Sequence, residues 1–93
     1  MRTIKYTHQF KRDYKREKKS GRYLSLDREL CAIVDLLAAD ELLPFNKYDH
    51  ALTGNWIDHR DCHVRPDLIL IDRKPDFGSL ELVRLGSHSQ LSL

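Results

Sequence analysis

No run of about 18 consecutive apolar residues occurs in this 93-residue chain, which excludes a membrane-spanning helix. The first ten residues, MRTIKYTHQF, lack the apolar stretch of a secretory signal, so the chain reads as cytoplasmic. Cysteine is scarce. Cys31 and Cys62 are the only two, and they read as free thiols filling small core positions rather than as a disulfide framework. There is no repeat, linker or low-complexity segment, so residues 1–93 are expected to form one domain around a single modest core. Signatures of several chemistries are missing as well. Without H-E-x-x-H or C-x-x-C there is no ready zinc motif, and without G-x-S-x-G there is no serine on a strand-to-helix elbow.

What is present is unevenly spread. The net charge is only +2, yet residues 1–23 carry nine Lys/Arg against Asp13 and Glu17, leaving the remainder of the chain acidic. A basic segment of that density, including Lys11, Lys15, Arg16, Lys18 and Lys19, suits a polyanion such as nucleic acid or an acidic protein segment. It is equally the composition of a solvated helix face.

The apolar pattern predicts an α+β fold in the order β-α-α-β-β-β-β, with two N-terminal helices packed on a four- to five-stranded, mainly antiparallel sheet. Residues 2–6 alternate as a first strand. Thr7 is placed to cap a helix that runs to Ser20 and stops at Gly21. Leu26, Leu30, Ile33, Val34 and Leu37 form a helical stripe, with Ser25 as its cap and an expected end near Asp40. His50, Ala51 and Leu52 read as a short strand, followed by a turn at Thr53-Gly54-Asn55 and a strand from Trp56 to Arg65. Pro66 interrupts the ladder and displaces Asp67. Leu68–Ile71, apolar throughout, should be buried on both faces, and Ser79–Leu85 closes the sheet.

Candidate chemistry concentrates between Tyr48 and Asp72, which holds three of the five histidines and the only tryptophan. Alternation along an extended strand would put Ile57, His59, Asp61, His63 and Arg65 on one face and Trp56, Asp58, Arg60, Cys62 and Val64 on the other. His59 and His63 have a zinc-like spacing. On a strand they would lie roughly 13 Å apart, too far to share an ion, so no metal is expected. Histidines with an aspartate and arginines suit general acid–base chemistry on a phosphodiester. Imidazoles can take and give protons near neutral pH, and a guanidinium can hold phosphate oxygens. With RNA, the neighbouring 2′-hydroxyl supplies the nucleophile. The rival reading is a non-catalytic module that docks RNA or protein through the basic first helix, its histidines incidental. His8, alone in that helix, is expected to be a plain surface residue.

Three spaced motifs carry a resemblance: D-H before L-x-G-x-W (Asp49, His50, Leu52, Gly54, Trp56), R-D-x-H-V-x-P-D (Arg60 to Asp67), and R-x-G-S-H (Arg84 to His88). Together with the chain length and the basic first helix, they resemble the YafQ branch of the RelE-type toxins of bacterial toxin–antitoxin modules. The resemblance implies a RelE-like fold and a ribosome-dependent, cofactor-free mRNA endoribonuclease that acts on mRNA in the ribosomal A site. It also implies neutralisation by a cognate, DNA-binding antitoxin with an acidic C-terminal segment. Matched position by position, the catalytic residues would be His50, His63, Asp67, Arg84 and His88. The RNA-binding residues would be Lys11, Lys15, Arg16, Lys18, Lys19 and Arg65. Three departures stand out: His59 and Asp72 occupy positions where tyrosine is expected, and Ser92 stands where the family tends to an aromatic. On this reading, Asp72 places a negative charge on the strand leading out of the site.

Overall fold

A computed structural model describes residues 1–93. In chain order the elements are β1 (Thr3–Tyr6), α1 (His8–Ser20), α2 (Leu26–Ala38), β2 (His50–Ala51), β3 (Arg60–Arg65), β4 (Leu68–Arg73), β5 (Ser79–Gly86) and α3 (His88–Leu91). Single 3-10 turns lie at Phe45–Lys47 and Gly54–Trp56. The five strands form one sheet in the order β1-β5-β4-β3-β2. All neighbours are antiparallel except β1 and β5, which run parallel, Thr3 opposite Ser79 and Tyr6 opposite Leu82.

Local chemistry sets the helix ends. The Thr7 hydroxyl accepts the Phe10 N–H at 3.0 Å, and Gly21 takes the left-handed conformation (φ 69°) that ends α1, with Lys18 and Lys19 in its last turn. Helix α2 begins at Leu26 as expected but stops at Ala38, and Asp40 turns the chain with φ 56°. The Ser25 hydroxyl does not cap α2; it accepts from Arg28 instead.

The sheet has two unequal faces. Against α1 and α2 pack Cys62, Val64, Leu68, Leu70, Leu80, Leu82 and Leu85, together with Phe10 and the α2 stripe. The opposite face carries a small cluster of Ile69, Ile71 and Leu91, covered by Leu52, Trp56 and Val83. Leu68, Ile69, Leu70 and Ile71 are fully buried, so β4 is the central strand predicted from its apolar run.

Strand β1 ends at Tyr6 while β5 continues to Gly86, which would leave the last part of β5 with an open edge. Groups from Thr7 and helix α1 close it. Thr7 donates its N–H to the Leu82 carbonyl at 3.1 Å and its hydroxyl to the Val83 carbonyl at 2.7 Å. The Leu85 N–H donates to Asp13 Oδ2 at 3.0 Å, and Arg16 Nη2 donates to the Leu85 carbonyl at 2.9 Å. The only two acidic residues of α1, Asp13 and Glu17, are thus the ones turned inward, while its lysines stay exposed.

Several expectations are corrected. Strand β3 begins at Arg60, not Trp56. Gly54 (φ 65°) and Asp58 (φ 69°) are left-handed, and Gly54–Trp56 closes as a 3-10 turn, so strand alternation does not start there. Trp56 consequently joins the cluster opposite the helices. A register shift between His63 and Arg65 turns Arg65 toward α2, where it pairs with Glu29 at 2.7 Å. Asp72 does not present a charge beside the site. It is fully buried, lies opposite Leu82 after a bulge at Val83 of β5, and neither carboxylate oxygen has a hydrogen-bond partner. The tail beyond β5, to which the sequence pattern assigns no element, forms the short helix α3.

Cys31 is exposed, whereas Cys62 is buried and its thiol is pushed up by burial and by the nearby Asp72. Only Cys62 is therefore the core residue expected of both. Alkylation of the native protein is expected to modify Cys31 alone, and alkylation in denaturant to modify both thiols, as mass mapping of peptides would read. Modification of native Cys62 at a comparable rate would contradict this packing.

Candidate active site

The cross-strand register builds the centre of the site. His50 on β2 lies directly opposite Asp61 on β3, and two residues along β3 His63 projects from the same face. His50 Nδ1 is 2.7 Å from the Tyr48 carbonyl oxygen and 3.1 Å from Asp61 Oδ1. A carbonyl oxygen only accepts, so Nδ1 carries a hydrogen and Nε2 is left with its lone pair in the neutral ring. The Asp61 oxygen lies within ion-pair range but off the line of a hydrogen bond, and it has no other partner. Burial raises the Asp61 carboxyl, and the surrounding His50, His63 and His88 pull it back only in part. His50 itself is exposed.

His88 reaches the cluster from the other end of the sheet. Its ring centroid lies 5.4 Å from that of His63, nearly edge to face, and the Tyr48 ring lies 5.4 Å from His63 on the other side. The local sequence explains the placement. Ser87 caps α3 by accepting the Gln90 N–H, and Gln90 Oε1 accepts the Ser87 N–H in return, a reciprocal capping box. Gly86 makes room for it. A Cβ there would stand 2.8 Å from Gln90 Oε1 and 3.1 Å from Arg16 Nη2. The Gly-Ser-His run thus ends β5, starts α3 and presents His88 at the first helical position.

Arg84 and Asp67 stand apart from the histidines. Arg84 Nε and Nη2 bond Asp13 Oδ2 and Oδ1 at 2.7 and 3.3 Å, leaving Nη1 as the uncommitted nitrogen of a partly exposed guanidinium. Burial pushes the Asp13 carboxyl up, but Arg84, the Leu85 N–H and Arg16 outweigh it and hold the group below the usual carboxylate range. Asp67 sits exposed in the two-residue connection between β3 and β4, 4.0 Å from Arg22. Of the candidate RNA-contacting residues, Lys11, Lys15, Lys18 and Lys19 are exposed on α1, with Lys18 paired to Asp27 at 2.7 Å. Arg16 is held by Asp13 and the Leu85 carbonyl, and Arg65 by Glu29. His8 is an exposed residue of α1, as expected. His59 lies outside β3, its Nδ1 3.1 Å from the Ile57 carbonyl oxygen and its ring against Trp56.

Beside the histidines opens a groove of about 520 Å³ lined by His50, Leu52, Thr53, Asn55, Trp56, Asp61, His88, Ser92 and Leu93. Asp61, Tyr48 and Trp56 are site residues that sequence reasoning does not select. The signal for Asp61 is present, since it shares strand parity with His63. Its pairing with His50 requires the register of β2, which a two-residue strand does not reveal. No group of three or more His, Cys, Asp or Glu side chains converges in a way that would hold a metal ion.

The model of the YafQ family, bacterial toxins of type II toxin–antitoxin systems, matches residues 2–93. The mRNA interferase toxin YafQ of Escherichia coli K12 is 36% identical over 91 residues, covering 97% of this chain and 95% of that protein. A copper-bound mutant toxin from Helicobacter pylori superposes with a TM-score of 0.90 at 34% identity, over 98% of this chain and 99% of that one. YafQ in its complex with DinJ, from E. coli, superposes with a TM-score of 0.84 at 34% identity, over 98% of each chain. With sequence motifs, fold and relatives in agreement over nearly its full length, this chain belongs to the YafQ family of toxins of bacterial type II toxin–antitoxin systems.

Proposed function

We propose that the protein is a ribosome-dependent mRNA endoribonuclease that cleaves by attack of the ribose 2′-hydroxyl on the adjacent phosphorus. The observation that carries this reading is the convergence of His50, Asp61 and His88 on one groove, with the His63 ring packed against that of His88. His50, with Nδ1–H turned to the Tyr48 carbonyl, offers Nε2 to take the 2′-hydroxyl proton. The Asp61 carboxylate stabilises the imidazolium that results. His88, across the groove, gives a proton to the departing 5′-oxygen. His63, between Tyr48 and His88, orients the acid. The 2′-oxygen–phosphorus bond forms as the phosphorus–5′-oxygen bond breaks, leaving a 2′,3′-cyclic phosphate and a 5′-hydroxyl. Arg84 Nη1, left free by the pair with Asp13, is the cation assigned to phosphate oxygens of an RNA that extends beyond the histidines.

One relative is a copper-bound protein, so the donor set matters here. His50 Nδ1 is committed to a carbonyl, and the histidines lack a converging third donor, so no step is assigned to a metal. The lysines of α1 are assigned to ribosomal RNA and to the acidic segment of a cognate antitoxin. The groove is shallow and open, so positioning of mRNA falls to the ribosomal A site.

Expression of the chain alone is expected to arrest growth and shorten mRNA, and co-expression with the cognate antitoxin to relieve both. Purified protein should cut mRNA on ribosomes far faster than free mRNA. Efficient, codon-selective cleavage of naked mRNA would remove the ribosome from this account. Growth arrest with intact mRNA would favour a non-catalytic binding module instead.

A further inference from the structure

We propose that Tyr48 is a positioning residue for both ends of the proton transfer, its carbonyl fixing the general base and its ring fixing the acid. The inference rests on the ribonuclease reading above and deepens it. Tyr48 has φ 51° and ψ 42°, the left-handed region that a bulky residue adopts only where its surroundings hold it. The anchors lie on both sides. Before it, Phe45–Lys47 form a 3-10 turn, closed by the Tyr48 N–H donating to the Phe45 carbonyl at 3.2 Å. Lys47 ties that turn to β3 by donating from Nζ to the Val64 carbonyl at 3.2 Å. After it, His50 is paired in the sheet opposite Asp61. The chain reverses between these anchors, and the Tyr48 carbonyl oxygen comes to stand 2.7 Å from His50 Nδ1. Because ψ sets where a carbonyl points, an extended conformation at position 48 would carry it away from that nitrogen. The strained turn thus fixes the tautomer that leaves Nε2 free to take a proton.

The ring acts on the other arm. The rings of His50 and His59 are fixed by backbone carbonyls, whereas those of His63 and His88 are fixed by packing. The Tyr48 ring is tilted 59° to that of His63, and His63 in turn stands 65° to His88, with 5.4 Å between centroids at each step. Tyr48 is the outer end of this row. Without its ring His63 gains room to turn, and His88 loses the fixed surface on which it rests. The tyrosine hydroxyl enters neither contact, so a phenylalanine should serve in its place.

The test has two arms. Nitrogen-15 NMR of the wild-type His50 ring, at about pH 9 where an imidazole is neutral, is expected to show the proton on Nδ1. A proton on Nε2 instead overturns the role of the carbonyl. In single-turnover cleavage on programmed ribosomes, Tyr48→Ala is expected to be about tenfold to hundredfold slower, the scale of a misplaced reacting group. Its affinity for the ribosome should be unchanged, and its His63 and His88 ring signals should lose the defined contacts seen in the wild type. Tyr48→Phe should restore those contacts and bring the rate to within about threefold of wild type. Phe45→Ala, exposed on the same turn, is the control expected to cut at the wild-type rate. Neither the tautomer nor Tyr48→Phe depends on Tyr48→Ala folding, and Tyr48→Phe that is folded yet more than about tenfold slow overturns the role of the ring. Folded Tyr48→Ala that cuts as fast as wild type overturns it too, leaving the ribonuclease reading intact. Wild-type protein that cuts no ribosome-bound message overturns both.

Discussion

Replacing Asp72 by Asn is expected to stabilise the protein at pH 8 by up to about 4 kcal/mol and to change little at pH 4. The side chain is fully buried, and neither oxygen has a partner. Burial, with Asp49 and Asp61 adding to it, outweighs Lys74 and Arg60 and raises the carboxyl from 3.8 to about 7. A carboxyl whose folded value lies above its unfolded one favours folding when neutral. That stability is fully present below about pH 4 and is lost as pH rises through about 7. At roughly 1.4 kcal/mol per unit, a shift of about three units gives the figure above. Water entry around the ionised group would reduce it. Urea unfolding of the wild type and of Asp72→Asn at both pH values isolates the effect, because every other titrating group is shared. A stability difference that does not change with pH would refute the buried, unpaired state of this carboxyl.

The second large effect concerns catalysis. On programmed ribosomes, His50→Ala and His88→Ala are each expected to slow single-turnover cleavage by about 10²–10⁴-fold, the range for losing a general base or acid. Asp61→Asn keeps the shape of the site but removes the charge 3.1 Å from His50, so it should slow cleavage less than loss of the imidazole itself. His8→Ala, exposed on α1, is the silent control. A substrate with 2′-deoxyribose at the cut should resist cleavage altogether. Loss of activity on removing metal ions, with ribosomes kept intact, would count against the proton-transfer scheme.

Much of this architecture is legible in the sequence because the relevant signals are local. The Thr7 cap, the Gly21 stop, the α2 stripe and the apolar run of β4 are each decided within a few residues, and the structure places them as read. The failures share a different cause. Strand alternation extended back from β3 breaks down over Gly54–Asp58, where the left-handed Gly54 and Asp58 reset it and send Trp56 to the opposite face. Asp72 reads as a surface charge because an aspartate seldom sits in a core without a partner. It sits where the pairing shifts at a bulge in the neighbouring β5, which no residue type announces. In the site, His50, His63 and His88 come together, whereas Asp67 turns to Arg22 and Arg84 to Asp13. Motif spacing cannot foresee that Asp13, in the first helix, claims the arginine near the end of the chain.

The parallel pairing of β1 with β5 has a consequence for synthesis. The first strand has no neighbour other than residues 79–82, so it waits for nearly the whole chain to be made. Contacts of that sequence separation are among the slowest to form. Helix α1 can form early, but the Asp13 and Arg16 side chains cannot seal β5 until Leu85 emerges. His88 and its helix come later still. An incomplete nascent chain therefore lacks both the edge of its sheet and one side of its groove.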